Sequence, residues 1–123
     1  MSLLRAALTP LAILPLGALY ALSDAAALIL HRCVRYRRAV VRDNLRRAFP
    51  DKSDAELRGI ERDFYRRFTD NAVETLKLMH ISDREMLRRM EFVDTGIIDR
   101  LLDEGRSITV YFAHTFCWEW APS

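Results

Sequence analysis

The feature that most limits how this chain can fold is an apolar run near its amino terminus, from Leu11 to Leu30. Its only charged side chain is Asp24. About 20 apolar residues are what an α-helix needs to cross a bilayer. Pro10 and Pro15 lie near the start of the run, where a helix tolerates proline best. The run predicts a membrane anchor over residues 1–33, with a signal peptide and a buried or interfacial helix as the alternatives.

Arginines crowd the chain directly after this run. The sequence has 19 Lys and Arg residues, of which only Lys52 and Lys77 are lysine, and seven arginines fall between Arg32 and Arg47. By the positive-inside rule this side of the anchor stays in the cytoplasm, and residues 34–123 are predicted to form a cytoplasmic domain. The net charge of +2 is too small to indicate nucleic acid as a partner.

An amphipathic helix is predicted from about Tyr36 to Phe49, ended by Pro50. One of its faces is apolar and the other is basic, which is typical of a membrane-surface helix. The alternative is a core-facing helix whose basic side is solvated. We predict contact with substrate phosphates or the membrane for the arginines of the basic face, Arg35, Arg38, Arg42 and Arg46.

Two further helices are predicted from N-terminal capping boxes. Ser53 and Glu56 open a long helix, and Ser82 and Glu85 open a short one that runs to about Met90. In the long helix Phe64, Tyr65 and Phe68 are expected in the core. Its predicted apolar stripe consists of Leu57, Ile60, Phe64, Phe68, Val73 and Leu76.

The last third of the chain predicts strands. Glu91–Val93 is expected to be a short strand, and Ile97–Glu104 a helix stopped by Gly105. Ser107–Ala113 is rich in β-branched and aromatic residues, which favours a strand buried on both faces. The predicted fold class is therefore α/β: an amino-terminal anchor helix, a mainly helical middle, and the first strands of a mixed or parallel sheet.

His114 follows the second predicted strand, and Glu119 comes five residues later. A neutral imidazole can take a proton from a hydroxyl, and a carboxylate on its other nitrogen fixes the tautomer. The spacing alone is weak, because chance matches are frequent and a structural histidine is the more common outcome. Cys117 raises two rival interpretations, a Cys–His nucleophile and a metal site with His114 and Glu119, but neither has supporting spacing.

The order of these features resembles the lipid A biosynthesis (lauroyl/myristoyl) acyltransferases, a family within the lysophospholipid acyltransferase superfamily. The matching parts are the hydrophobic anchor, the Arg-rich helix ending in Phe49-Pro50, and the long helix with Phe64-Tyr65 and Asn71 to Glu74. The most specific part is His-x3-Trp-Glu, matched by His114, Trp118 and Glu119. Phe116-Cys117 departs from the Gly-Asn or Cys-Asn that many members carry there.

The resemblance implies an enzyme that moves a fatty acyl chain from acyl carrier protein to a hydroxyl of a lipid A precursor. His114 would be the general base, Glu119 its partner, and Trp118 a substrate or membrane contact. It implies no cofactor or metal, and a place at the bacterial inner membrane with the catalytic part in the cytoplasm. Family members are longer, so we expect this chain to be an amino-terminal part that is inactive alone. The alternatives are another glycolipid or lysophospholipid acceptor, or a non-enzymatic membrane-anchored helical interaction protein.

Overall fold

The structure is a computed structural model, and it describes residues 3–111 and 118–120 of the chain. The chain divides into two compact units, an amino-terminal unit (Met1–His80) and a carboxyl-terminal unit (Ile81–Ser123). The predicted boundary between an anchor over residues 1–33 and a domain over residues 34–123 stays a prediction.

The apolar run forms two helices rather than one. Helix α1 spans Leu3–Ile13, and helix α2 spans Leu16–Leu28. The break falls at Pro15, whose φ of −62° and ψ of 147° place it in an extended conformation. Proline has no backbone N–H to continue a helix, so α2 begins directly after it. A π-helical segment, Ile29–Val34, extends α2 at its far end.

The chain reverses sharply after this π-helical segment. Arg35 and Arg37 both have left-handed backbones, with φ of 53° and 48°. Helix α3, Arg38–Ala48, follows the reversal and ends two residues before Pro50. The predicted amphipathic helix is thereby confirmed, with its start displaced by two residues.

Helix α4, Asp54–Lys77, begins at the predicted capping box. The side chain of Glu56 accepts from the Ser53 backbone N–H at 2.9 Å, and the Ser53 hydroxyl accepts from the Glu56 backbone N–H at 3.4 Å. These contacts satisfy amide groups that have no partner inside the helix. Asp54 and Glu56 also place negative charge at the positive end of the helix dipole.

Helix α4 packs along α2. We call the polar seam the series of polar contacts that α4 makes with residues from Ala12 to His31. From one end to the other the seam pairs Lys77 with the carbonyl oxygens of Ala12 and Leu14, Glu74 with Tyr20, Asp70 with Ser23, Arg66 with Asp24, and Glu61 with His31. Residue numbers fall along α4 as they rise along α2, so the two helices are antiparallel.

At one end of the seam, the Lys77 side chain caps the carboxyl end of α1, although it lies 65 residues later in the sequence than Ala12. Its Nζ donates to Ala12 O at 3.0 Å and to Leu14 O at 2.9 Å, and the residue is 9% exposed. The last carbonyl groups of a helix lack donors within it, and Pro15 supplies no N–H. The ammonium group therefore satisfies carbonyl groups that the break between α1 and α2 leaves open.

The buried face of α4 differs from the predicted apolar stripe. Its buried residues are Glu61, Tyr65, Thr69 and Lys77. Phe64 and Phe68 are 42% and 45% exposed, so the expectation that both lie in the core is wrong, whereas Tyr65 is buried as expected. The physical reason is that α2 and the π-helical segment present hydroxyl and imidazole groups to α4, and polar residues of α4 bind them.

The carboxyl-terminal unit contains helix α5, Asp83–Arg89, helix α6, Gly96–Asp103, and a 3₁₀ turn, Trp118–Trp120. The Ser82 side chain accepts from the Glu85 N–H at 3.3 Å, which confirms a cap at the predicted start of α5. Gly105 follows α6 with φ of +69°, as expected for a glycine that stops a helix. Neither helix has a buried residue.

The predicted α/β fold class is wrong. All regular secondary structure among the described residues is helical, and no strand occurs there; Glu91–Val93 and the described part of Ser107–Ala113 are irregular. A strand needs a neighbour to pair its backbone N–H and C=O groups, and β-branched composition supplies none. Phe112 and Ala113, at the end of the second predicted strand, lie outside the described residues.

Candidate functional site

The predicted catalytic pair is only partly within the described chain. His114 lies outside it, as do the neighbouring residues Thr115 to Cys117. Glu119 lies in the 3₁₀ turn and is half-buried, next to Trp120, which is 8% exposed. The roles of His114 and Glu119, and the contact expected of Trp118, stay predictions.

A second group of charged residues converges on Glu61 of α4, and we call it the Glu61 cluster: His31, Arg38, Arg42 and Glu61. The Arg38 Nε donates to Glu61 Oε1 at 2.6 Å, and the Arg42 Nε donates to Oε2 at 2.8 Å. The His31 Nε2 lies 3.1 Å from Oε1. Glu61 is only 2% exposed, so three side chains from two other elements enclose one carboxylate.

Local backbone geometry brings these side chains together. His31 comes from the π-helical segment, and Arg38 and Arg42 are one turn apart on α3. The left-handed residues Arg35 and Arg37 turn the chain so that α3 follows closely on that segment. Spacing of three or four residues places side chains on the same face of a helix.

Glu61 remains ionised despite its burial. Burial alone would raise the pKa of this carboxyl, but hydrogen bonds from Arg42, Arg38 and His31 outweigh it and hold the pKa below its ordinary value of 4.5. Tyr65, one turn further along α4, donates its hydroxyl to the Tyr36 carbonyl at 2.6 Å. Burial and the charge on Glu61 raise the pKa of that hydroxyl above 10.0.

The four arginines predicted to meet phosphate or the membrane divide into two pairs. Arg38 and Arg42 are bound to Glu61 through their Nε atoms. Arg35 and Arg46 are exposed and form no ion pair within residues 8–111. Their predicted contacts with phosphate or the membrane stay a prediction, and the structure adds a structural role for Arg38 and Arg42.

Two surface cavities are lined by residues of both α3 and α4. A polar cavity of about 110 Å³ is lined by Arg42, Arg46 and Arg58 together with Leu45, Asp54, Leu57 and Glu61. One guanidinium group can donate two parallel hydrogen bonds to the oxygens of a phosphate, so this cavity has the chemistry to bind a small anion. An apolar groove of about 300 Å³ runs between α3 and α4, and its walls include Val40, Val41, Leu45, Phe64 and Phe68.

The sequence did not single out Glu61, His31 or Lys77. Each belongs to a polar position at helical spacing, and such positions are usually solvated. The apolar run did carry a signal that it meets a polar surface, because Tyr20 and Ser23 place hydroxyl groups in it, and these bond to Glu74 and Asp70 of α4. Cys33 is a free, exposed thiol, and no group suited to hold a metal occurs in the part of the chain that the structure describes.

The π-helical segment and α2 together form an apolar stretch, Leu16–Val34, of 19 residues and mean hydropathy 1.2. Its length and composition suffice to cross a membrane, although core helices and signal sequences share both properties.

Comparison with family models matches residues 1–122 to bacterial lipid A biosynthesis acyltransferases. The chain belongs to this family. Searches of curated proteins and of solved structures found no match.

Membership of this family identifies the chain with acyltransferases of lipid A biosynthesis, as its resemblance predicted. The match extends over both compact units, so it includes the Glu61 cluster as well as His114 and Glu119.

Proposed function

We propose that this chain acts in the transfer of a fatty acyl group from acyl carrier protein to a hydroxyl of a lipid A precursor, at the cytoplasmic face of the inner membrane. The observation that carries the proposal is the family match over residues 1–122, which includes the His-x3-Trp-Glu motif at His114 to Glu119. The half-buried position of Glu119 beside a buried tryptophan supports it, because a carboxylate partner works best away from bulk water.

In the proposed reaction His114 takes the proton of the acceptor hydroxyl. The oxygen then attacks the carbonyl carbon of the acyl thioester, an ester bond forms, and the carbon–sulfur bond breaks. The protonated imidazole returns its proton to the departing thiolate of the carrier protein. Glu119 holds the imidazole in the required tautomer and stabilises its positive charge during the step.

The test of this mechanism is substitution of His114 in the protein that the gene encodes. We expect His114→Ala to lower the rate of acyl transfer about 10²–10⁴-fold, the usual contribution of a general base. His80→Ala is the matched control, because His80 is an exposed histidine three residues after the end of α4 and does not belong to the motif. Transfer by His114→Ala at a rate near that of His80→Ala would show that His114 is not the general base.

The acceptor is tested separately, by comparing the lipids of cells with and without the gene. Loss of one acyl chain from lipid A supports a lipid A precursor as acceptor. Unchanged lipid A with a change in another glycolipid or in phospholipids would assign the same chemistry to a different acceptor. Mass spectrometry of the extracted lipids distinguishes these outcomes.

We further propose that the 123 residues alone do not turn over substrate. The support is that the described part of the carboxyl-terminal unit leaves large apolar side chains exposed, including Leu87 at 76% and Tyr111 at 91%. A closed acyl-binding site would cover such side chains. Detectable acyl transfer by the purified 123-residue chain, with acyl carrier protein and a lipid A precursor, would contradict this proposal.

A further inference from the structure

Helix α2 has two faces with opposite surroundings. The face toward α4 buries Leu16, Leu19, Ser23 and Ala27. The opposite face is exposed and consists of Ala18, Ala21, Leu22, Ala25, Leu28 and Ile29, the last of which lies in the π-helical segment. Leu22, Leu28 and Ile29 are 49%, 56% and 52% exposed. An apolar stripe of this length on a surface is typical of a helix that meets another apolar phase.

The polar seam extends over almost the whole length of this stripe. It begins where Lys77 meets Ala12 and Leu14 and ends where Glu61 meets His31. The 16 helical steps from Glu61 to Lys77 cover about 24 Å, which is most of the roughly 30 Å thickness of a bilayer's hydrocarbon core. If α2 crossed a bilayer with its contacts intact, α4 would cross beside it.

Helix α4 cannot lie in hydrocarbon. Beside the buried residues of the seam, α4 carries exposed charged residues, namely Arg62, Asp63, Arg66 and Arg67. A charged side chain within the hydrocarbon core is costly, and several in one helix add to that cost. Separation of α2 from α4 would be no better, because Asp24 would enter hydrocarbon and Lys77 and Glu61 would lose partners.

Basic residues stand at the end of the apolar stripe. Arg32, Arg35 and Arg37 are exposed, and none of them forms an ion pair in the described part of the amino-terminal unit. Guanidinium groups bind lipid phosphates at the surface of an anionic leaflet. The apolar side chains are suited to contact the acyl chains of one leaflet, and the neighbouring arginines are suited to bind the head groups of the same leaflet.

We propose that α2 lies along one leaflet of an anionic bilayer, with its exposed apolar face among the acyl chains, and that the chain does not cross the membrane. Residues 1–33 then anchor the protein from the same side as α3 and α4. The charged face of α4 stays in water, and Arg32, Arg35 and Arg37 bind the head groups. This topology is independent of the acyl-transfer chemistry, so either can fail while the other stands.

The topology is tested with two single-cysteine forms in a Cys117→Ser background. One retains the exposed Cys33, and the other carries Ser2→Cys with Cys33→Ser. A membrane-impermeant maleimide is added to spheroplasts, before and after permeabilisation. We expect both cysteines to react only after permeabilisation. Reaction of Ser2→Cys in intact spheroplasts, with Cys33 protected, would place residue 2 and Cys33 on opposite sides of the membrane and overturn the proposal.

The binding face is tested by flotation of the purified full chain with preformed vesicles of phosphatidylglycerol and phosphatidylcholine. We expect binding to fall about tenfold or more in Leu22→Glu and in Leu28→Glu, since burial of one leucine in lipid accounts for such a factor. Leu87→Glu is the matched control, because Leu87 is an exposed leucine of α5. Circular dichroism confirms that each variant remains helical.

Two outcomes of the flotation experiment would contradict the proposed face. In one, Leu87→Glu weakens binding as much as Leu22→Glu does. In the other, the chain fails to float with phosphatidylglycerol vesicles and forms a dimer in solution that Leu22→Glu disrupts, which would assign the apolar stripe to a second copy. Arg32→Gln with Arg35→Gln should lower binding to phosphatidylglycerol vesicles and leave binding to pure phosphatidylcholine unchanged.

Discussion

The two compact units of the chain are stabilised in different ways. In the amino-terminal unit, buried polar groups connect helices that are far apart in sequence, as the polar seam and the Glu61 cluster show. In the carboxyl-terminal unit, side-chain hydrogen bonds such as those of Arg89 with Glu85 and of Thr95 with Asp99 join residues only four positions apart. The comparison shows that a charged helix such as α4 can pack against a mainly apolar helix such as α2 when the apolar helix carries polar groups that bind those of the charged one.

The largest difference between the units is expected at Glu61. We predict that Glu61→Gln lowers the free energy of unfolding by about 3–5 kcal/mol, since it leaves buried positive charge without its partner. Glu85→Gln is the control, because Glu85 pairs with Arg88 and Arg89 at an exposed site of α5. Urea unfolding measures both variants. A loss at Glu85 as large as that at Glu61 would remove the distinction between the two units.

A somewhat smaller effect is expected from the apolar part of the same interface. Leu19 is 1% exposed between α2 and α4, and Leu19→Ala should cost about 2–4 kcal/mol through lost burial and the cavity it leaves. Leu87→Ala, the same change at an exposed leucine, should change stability by about 0.5 kcal/mol or less. Thermal unfolding of the two variants compares them directly. Equal losses would show that α5 packs as tightly as α2.

Acid is expected to destabilise the amino-terminal unit through Glu61. Its pKa in the folded chain lies below the ordinary 4.5, so its contribution is complete above that value and is lost as the pH falls through the lower, folded pKa. We predict that the stability difference between the wild type and Glu61→Gln narrows as the pH falls below about 4.5. Urea unfolding at several pH values measures it. A difference that is constant with pH would show that the charge of Glu61 does not stabilise the fold.

The smallest contrast concerns the helix caps, which both units share. Ser53→Ala and Ser82→Ala each remove a side-chain acceptor from the start of a helix, and each should cost about 1 kcal/mol. Hydrogen exchange at the first turns of α4 and α5 measures the change. Helix α4 has tertiary contacts and α5 has no buried residue, so local exchange should increase more in α5.

Local sequence signals predicted much of the helical structure. The capping residues Ser53 and Ser82, the helix-ending Pro50 and the left-handed Gly105 all act where the sequence indicated. Each of these signals works within a few residues of chain, through a missing N–H, a side-chain acceptor or a permitted φ. That is why helix bounds could be predicted while the partners of the helices could not.

The errors concern pairing between distant segments. Ser107–Ala113 has the composition of a strand, but composition does not supply a partner for its backbone. Phe64 and Phe68 were expected in the core because apolar residues usually lie there, whereas Glu61 and Thr69 of the same helix have partners inside. For the candidate site, the motif predicts His114 and Glu119 from spacing and family order, and the Glu61 cluster has no comparable signature.

The contact of Lys77 with Ala12 has a consequence for how the chain is made. The carbonyl group of Ala12 at the end of α1 accepts from the Lys77 side chain, which lies 65 residues later in the sequence and is therefore synthesised later. At about 5–20 residues per second, ribosomal synthesis of that interval takes roughly 3–13 s. During that time the residues of α1 and α2 have been synthesised, while the part of α4 that contacts them is still being translated. A nascent chain in this state has time to meet a membrane before it meets its own α4.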